Sequence, residues 1–122
     1  MPITIKQYNL GPLETNSFLI ADTAQKTGIL IDPAEGSHLM LEEARENGWQ
    51  IQKILITHAH FDHLTGIPEL AKFMDPMPSI HIHKLDLELY IHKGGAELFG
   101  LSIDLLPDAI PDIEESVFSS LF

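Results

Sequence analysis

The stretch Ile54-Leu55-Ile56-Thr57-His58-Ala59-His60-Phe61-Asp62-His63 sets the reading of the whole chain. Three aliphatic residues run straight into three imidazoles and a carboxylate. The apolar run predicts a buried strand, and the residues after it predict a loop at the strand's C-terminal end. A strand end fixes the first side chain of such a cluster, and the loop lets the following ones converge. Neutral imidazole with carboxylate suits Zn²⁺, and the same donors accept Fe²⁺ and Mn²⁺. His58 and His60 are two apart, so in extended geometry they share a side and can clamp one ion. Asp62 and His63 begin the next turn and can hold a second. Two ions roughly 3.5–4 Å apart would share a hydroxide and stabilise a hydrolytic transition state.

Working outward, Ile51 to Ile56 is the strand that feeds the cluster. Upstream, residues 3–8 alternate, with Ile3, Ile5 and Tyr8 set against Thr4 and Lys6, which predicts a half-buried strand. Gly11-Pro12 marks a turn, and Ser17 to Ala21 a second strand. Gly28 to Pro33 predicts a third, apolar on both faces, with Asp32 at its C-terminal end. Ser37 is placed to cap a helix through Leu39, Met40, Ala44 and Arg45, with Gly48 as its stop and Glu42, Glu43 and Glu46 on the solvent side. Downstream, Ile67 to Met74 predicts a helix ended by Asp75-Pro76-Met77-Pro78, and Ser79 to His83 a short strand. Leu85 to Ile91 is apolar at helical spacing, with Leu85, Leu89 and Ile91 expected in the core, and Gly94-Gly95 stops it. Beyond Ala96 come the apolar Leu101, Ile103 and Leu105 and the acidic stretch 104–115, which is expected to limit aggregation. Strands alternating with helices predict an α/β layered fold in a single domain, residues 1–122.

Composition narrows the function. Seven Lys plus Arg against eighteen Asp plus Glu give a formal net charge of −11. Such a field repels phosphate, so no nucleic-acid partner and no anionic membrane surface are expected. With no cysteine, disulfide scaffolds and thiolate metal sites are excluded. No signal peptide is expected at the N-terminus, and no apolar run reaches the ~20 residues that span a bilayer, so the expected compartment is the cytoplasm. Ser17, Ser37 and Ser79 lack a nucleophile elbow, and no glycine-rich phosphate loop occurs. His81 and His83 share a strand face and are read as packing or surface residues, His38 and His92 as structural ones at helix ends. Trp49 is read as core.

The run Thr57-His58-Ala59-His60-Phe61-Asp62-His63-Leu64-Thr65-Gly66 resembles the H-x-H-x-D-H signature of the metallo-β-lactamase superfamily. Leu13 to Ile20 and Gly28 to Ala34 resemble the opening strands of its hydroxyacylglutathione hydrolase (glyoxalase II-like) branch. The resemblance implies an αββα four-layer sandwich, of which this chain is the N-terminal half. It implies that His58 and His60 ligate one metal, Asp62 and His63 a second, with two Zn²⁺ in a complete site. Asp62 would also orient the attacking water, and Asp32 would stand beneath the site and support it. The implied activity is hydrolysis of a small-molecule thioester or ester by a metal-bound hydroxide. Relatives add a His from a later Gly-His loop, a bridging Asp and a final His. This sequence has no histidine after His92 and no Gly-His pair, so it is read as truncated, with weak metal binding and little turnover. Two further readings follow from the same resemblance. One is a non-catalytic half-domain that acts as an interaction module and forms a homodimer through its exposed half-sandwich face. The other is a di-iron redox relative.

Overall fold

The computed structural model describes residues 2–99 and 106–113. A six-stranded sheet runs in sequence order. Its strands are β1 (Ile3–Leu10), β2 (Thr15–Asp22), β3 (Thr27–Ile31), β4 (Gln50–Ile56), β5 (Ser79–Ile82) and β6 (Ala109–Ile110). The first three form an antiparallel meander, and β3 to β6 are parallel. Parallel neighbours need crossovers, and the helices supply them. Helix α1 (His38–Glu46) links β3 to β4, α2 (Ile67–Phe73) links β4 to β5, and α3 (Leu87–Ile91) lies between β5 and β6.

The helices share one face of the sheet. Met40, Leu41 and Ala44 of α1 and Ile67 and Leu70 of α2 pack on Leu19, Leu30, Ile54, Ile56, Ile80 and Ile82. Each such aliphatic side chain contributes about 1.5–3 kcal/mol through burial, so this layer holds most of the stability. Two ties lace the helices to each other. His38 Nδ1 lies 2.5 Å from Glu69 Oε1, and Arg45 Nη2 donates to the Phe73 carbonyl at 2.8 Å, where α2 ends. Trp49 packs against this core, as read from the sequence. The other face carries a smaller cluster of Ile29, Leu55 and Ile113, flanked by Ile20 and Ile31. One helix layer on one sheet is half of an αββα sandwich.

Several expectations are corrected. In β1, Ile3 and Ile5 point to the helix-free face and stay exposed, Ile5 at 63%. Thr4, Lys6 and Tyr8 are the residues turned to the helices: Lys6 Nζ pairs with Glu43 Oε1 at 2.6 Å, and Tyr8 packs against the core. Alternation located the strand, but which side is covered depends on where the helices land. Ser37 stands at the start of α1 without capping it; its hydroxyl donates back to the Ala34 carbonyl. Leu85 and Ile91 are exposed, because a 3-10 turn over Lys84–Asp86 delays α3 and rotates Leu87, Leu89 and Tyr90 onto the core. His83 falls just after β5, and its Nδ1 accepts from the Leu85 N–H at 3.1 Å. Leu101, Ile103, Leu105, Asp104, Glu114 and Glu115 lie outside the described residues.

His81 is buried and joined on both nitrogens. Nδ1 lies 2.8 Å from Asp112 Oδ1 and Nε2 2.7 Å from Ser79 Oγ. It therefore ties the segment after β6 to β5. Tyr90 donates its hydroxyl to the Pro107 carbonyl at 2.7 Å, and burial pushes its phenol pKa upward.

Gly66 is required by close approach. A Cβ there would collide with the Ala34 carbonyl oxygen and reach within 2.8 Å of the Pro33 carbonyl oxygen. Gly66→Ala is expected to cost about 2–4 kcal/mol, because backbone rather than a flexible side chain must move. Urea denaturation of both chains checks this, and a cost under half a kilocalorie would show that the two loops part freely.

Candidate metal centre

The histidine cluster begins where β4 ends. Beyond Ile56 the chain bends at Thr57, buries Ala59 and leaves its neighbours His58 and His60 exposed. Their rings lie parallel within 5°, with centroids 6.4 Å apart, so the two share a side as their spacing predicts. Phe61–His63 then forms a 3-10 turn, closed by the His63 N–H to the His60 carbonyl at 3.0 Å. The turn swings His63 back until its ring centroid is 5.3 Å from that of His58. One residue of each sequence pair, His58 and His63, thus comes to the same place.

A second loop holds this one from below. Asp32 follows β3 with φ 51°, a left-handed conformation that Asp tolerates better than most residues. Its N–H still donates to the Leu55 carbonyl at 2.9 Å, which keeps the carboxylate over the end of β4. Asp32 Oδ1 accepts from the Thr57 N–H at 2.7 Å, and Oδ2 accepts from the Thr57 hydroxyl. Two more ties run between the loops: the Gly66 N–H donates to the Pro33 carbonyl at 2.9 Å, and the Glu35 N–H to Thr65 Oγ1 at 2.9 Å. On the far side, the left-handed Gly94 (φ 68°) packs its Cα directly against the His60–Phe61 peptide.

The antiparallel β2 contributes as well. Its first residues lie over the C-terminal ends of β3 and β4. Ser17 Oγ donates to the Asp32 carbonyl at 2.6 Å, and Thr15 Oγ1 donates to Asp62 Oδ2 at 3.0 Å. Neither residue carries a sequence signal for the site, since hydroxyls in a strand are ordinary. The Thr15–Asp62 and Ser17–Asp32 pairings exist only once β2 is in register.

Proton placement around Thr57 follows from its donor inventory. A hydroxyl has one proton, and here it goes to the acceptor-only carboxylate of Asp32. Thr57 Oγ1 lies 3.1 Å from His58 Nδ1 and can then only accept, so Nδ1 carries the ring proton. That leaves Nε2 of His58 with its lone pair free for a metal. His63 is less settled in protein contacts. Its Nδ1 is buried and 3.0 Å from Asp32 Oδ2, yet no hydrogen bond forms there because the angle is wrong. Its Nε2 stands 3.4 Å from Asp62 Oδ2. Ligand atoms bound at about 2.0–2.2 Å in a tetrahedral set are themselves about 3.4 Å apart, so this pair has the edge length of a metal polyhedron. Asp32, His58 and His63 each offer a ligand atom, all within 4.8 Å of one another. His60 and Asp62 belong to no such three-residue group among the described residues. The donor chemistry, the unbonded buried nitrogen and the 3.4 Å edge together fit a divalent metal.

The family model of the metallo-beta-lactamase superfamily matches residues 10–120. The chain belongs to that superfamily. It is 42% identical over 57 residues to a hydroxyacylglutathione hydrolase of Enterobacter sp. (strain 638), covering 46% of this chain and 22% of that protein. An uncharacterized protein of Aquifex aeolicus is 28% identical over 113 residues, 92% of this chain and 51% of that one. Among solved structures, TTHA1623 in a di-iron-bound form superposes with TM-score 0.72 at 33% identity, over 90% of this chain and 54% of that one. The BLEG-1 B3 metallo-beta-lactamase superposes with the same score at 21% identity, over 92% and 55%. The chain thus spans about half the length of these two solved structures, and about half or less of the two relatives, and the fold is the metallo-beta-lactamase fold over that span.

Thr57→Val removes the hydroxyl and keeps the backbone N–H bond to Asp32. It is expected to weaken Zn²⁺ binding about 10–100-fold, the usual effect of losing a group that orients a ligand, while Thr57→Ser retains affinity. Competition against a chromophoric chelator measures this; equal affinity in the valine chain would remove Thr57 from the site.

Proposed function

We propose that this chain is the metal-holding portion of a hydrolase that cleaves a small-molecule thioester or ester. The observation that carries the reading is that Asp32, His58 and His63 bring ligand atoms within 4.8 Å of one another at the end of β4, with Asp62 Oδ2 3.4 Å from His63 Nε2. Similarity to hydroxyacylglutathione hydrolases of Enterobacter sp. (strain 638) and Erwinia tasmaniensis, 42% and 36% identical over their matched segments, supports the thioester class. His58 and His60 would hold one ion, Asp62 and His63 a second. Zinc or a similar divalent ion bound there supplies Lewis acidity and a nucleophile from water at neutral pH.

The chain's own residues do the rest. The His58 lone pair is directed by the Thr57 hydroxyl, and the Asp62 carboxylate would orient the attacking water. Asp32 sits 3% exposed and supports the loop without reaching the substrate side. The whole arrangement stands at a strand end, open to an incoming carbonyl. No helix among the described residues is long and apolar enough to cross a membrane, and the setting proposed with this reading is the cytoplasm. Iron is the alternative metal, favoured by the di-iron form of TTHA1623. Metal content after purification separates the two.

No Gly-His pair occurs in the 122 residues, so the later ligands expected from the resemblance are absent from them. Turnover of a hydroxyacylglutathione thioester with added Zn²⁺ is therefore expected to be slow, below about 1 s⁻¹, the low end for enzymes. It should vanish with a chelator or with Asp62→Ala. Hydrolysis indifferent to both treatments would overturn the reading, and rates of ordinary enzymes would show that four ligands suffice.

The helix-free face of the sheet supports a homodimer. Ile3, Ile5 and Ile110 are exposed there beside the half-buried Ile20 and Ile31. Paired copies would cover these isoleucines from water. Light scattering should give twice the chain mass, and a stable monomer at high micromolar concentration would refute the pairing.

A further inference from the structure

We propose that Thr15 is a positioning residue for Asp62, holding its carboxylate in the orientation that pairs it with His63. The two are 47 positions apart in sequence and meet through one hydrogen bond, Thr15 Oγ1 to Asp62 Oδ2 at 3.0 Å. That same oxygen stands 3.4 Å from His63 Nε2, so the threonine grips the atom that forms the ligand edge.

The donor stands on the sheet and the acceptor on a loop. Thr15 opens β2, paired with Leu10 across a hairpin loop that the Glu14 N–H closes onto the Gly11 carbonyl at 3.1 Å. It is only 6% exposed, and its β-branched side chain has few rotamers to choose from. Asp62 sits in a three-residue turn with no side-chain cap, on a loop whose backbone does not dictate where the carboxylate points. The ties from the Asp32 loop end on Thr57, Thr65 and Gly66, on either side of Asp62. Among the described residues, Thr15 is the one whose side chain hydrogen-bonds to the carboxylate itself.

The inference shares its metal site with the hydrolase reading above, but its first test needs neither metal nor turnover. In the metal-free chain, three-bond couplings report the χ1 rotamer of Asp62. The parent and Thr15→Ser are expected to show one rotamer, and Thr15→Val an average over several. Co²⁺ titration followed by the visible absorption of the bound ion gives the second readout. Affinity should fall about 10–100-fold in Thr15→Val and recover in Thr15→Ser. If the valine chain fails to fold, Thr15→Ala, which cannot overpack the site, carries the same comparison. A single Asp62 rotamer in a folded chain without the hydroxyl overturns the proposal, even if Co²⁺ affinity falls, because the effect then does not pass through Asp62. Averaging with unchanged affinity overturns it too. If the parent takes up no Co²⁺, the couplings alone decide. Parent chain that binds metal, responds to Thr15 as expected and yet hydrolyses nothing would sink the hydrolase reading and leave this one standing.

Discussion

The Asp32 carboxylate accepting both the N–H and the hydroxyl of Thr57 is the contact on which the site depends. It joins the ends of two adjacent parallel strands, β3 and β4, where the ladder has stopped and each chain would otherwise diverge. Through Thr57 it sets the ring proton of His58, and its own Oδ2 lies against the buried Nδ1 of His63. A buried carboxylate is costly unless hydrogen-bonded, so these donors and Asp32 need one another. Asp32 accordingly adopts a left-handed backbone, a local strain that the surrounding bonds over-determine.

Topology explains why the donors are available. Parallel strands bring the C-terminal ends of β3, β4 and β5 to the same edge, where ligand sites in such sheets gather. An antiparallel neighbour brings its opposite end. Strand β2 thus delivers Thr15 and Ser17 to the edge that receives Asp32 and the histidines. Its hydroxyls sit on the helix-side face, continuous with Leu19 and Ala21 in the core, so they are sheltered from water and their bonds are worth more for it. Gly66 and Gly94 let the loops approach the His-rich segment from two sides, one under the Asp32 loop and one over the His60–Phe61 peptide.

Much of the fold was legible from the chain. The aliphatic runs Ile29-Leu30-Ile31 and Ile54-Leu55-Ile56 are strands covered on both faces, and continuous apolar runs are what that burial demands. Where the reading of apolar patterns failed, it failed on facing. Ile3 and Ile5 alternate correctly, yet alternation has no sign, and the helices chose the side of Lys6 and Tyr8. Leu85 and Ile91 matched a helical period, yet a three-residue 3-10 turn shifted its phase and exposed both. Periodicity reports that one side is buried; a contact partner says which.

For the site, the sequence by itself determined the chemistry: His58, His60, Asp62 and His63 within six positions, after a buried strand, offer metal donors of a specific lineage. Their types and spacing are local, and local properties survive being read in one dimension. The tertiary structure alone decided how those donors are held. Thr15 and Ser17 come from a strand more than forty residues upstream, and Thr57 acquires its role only when Asp32 arrives from the next strand. A hydroxyl becomes an orienting group through what it faces, and what it faces is set by strand order and direction. No residue type announces that.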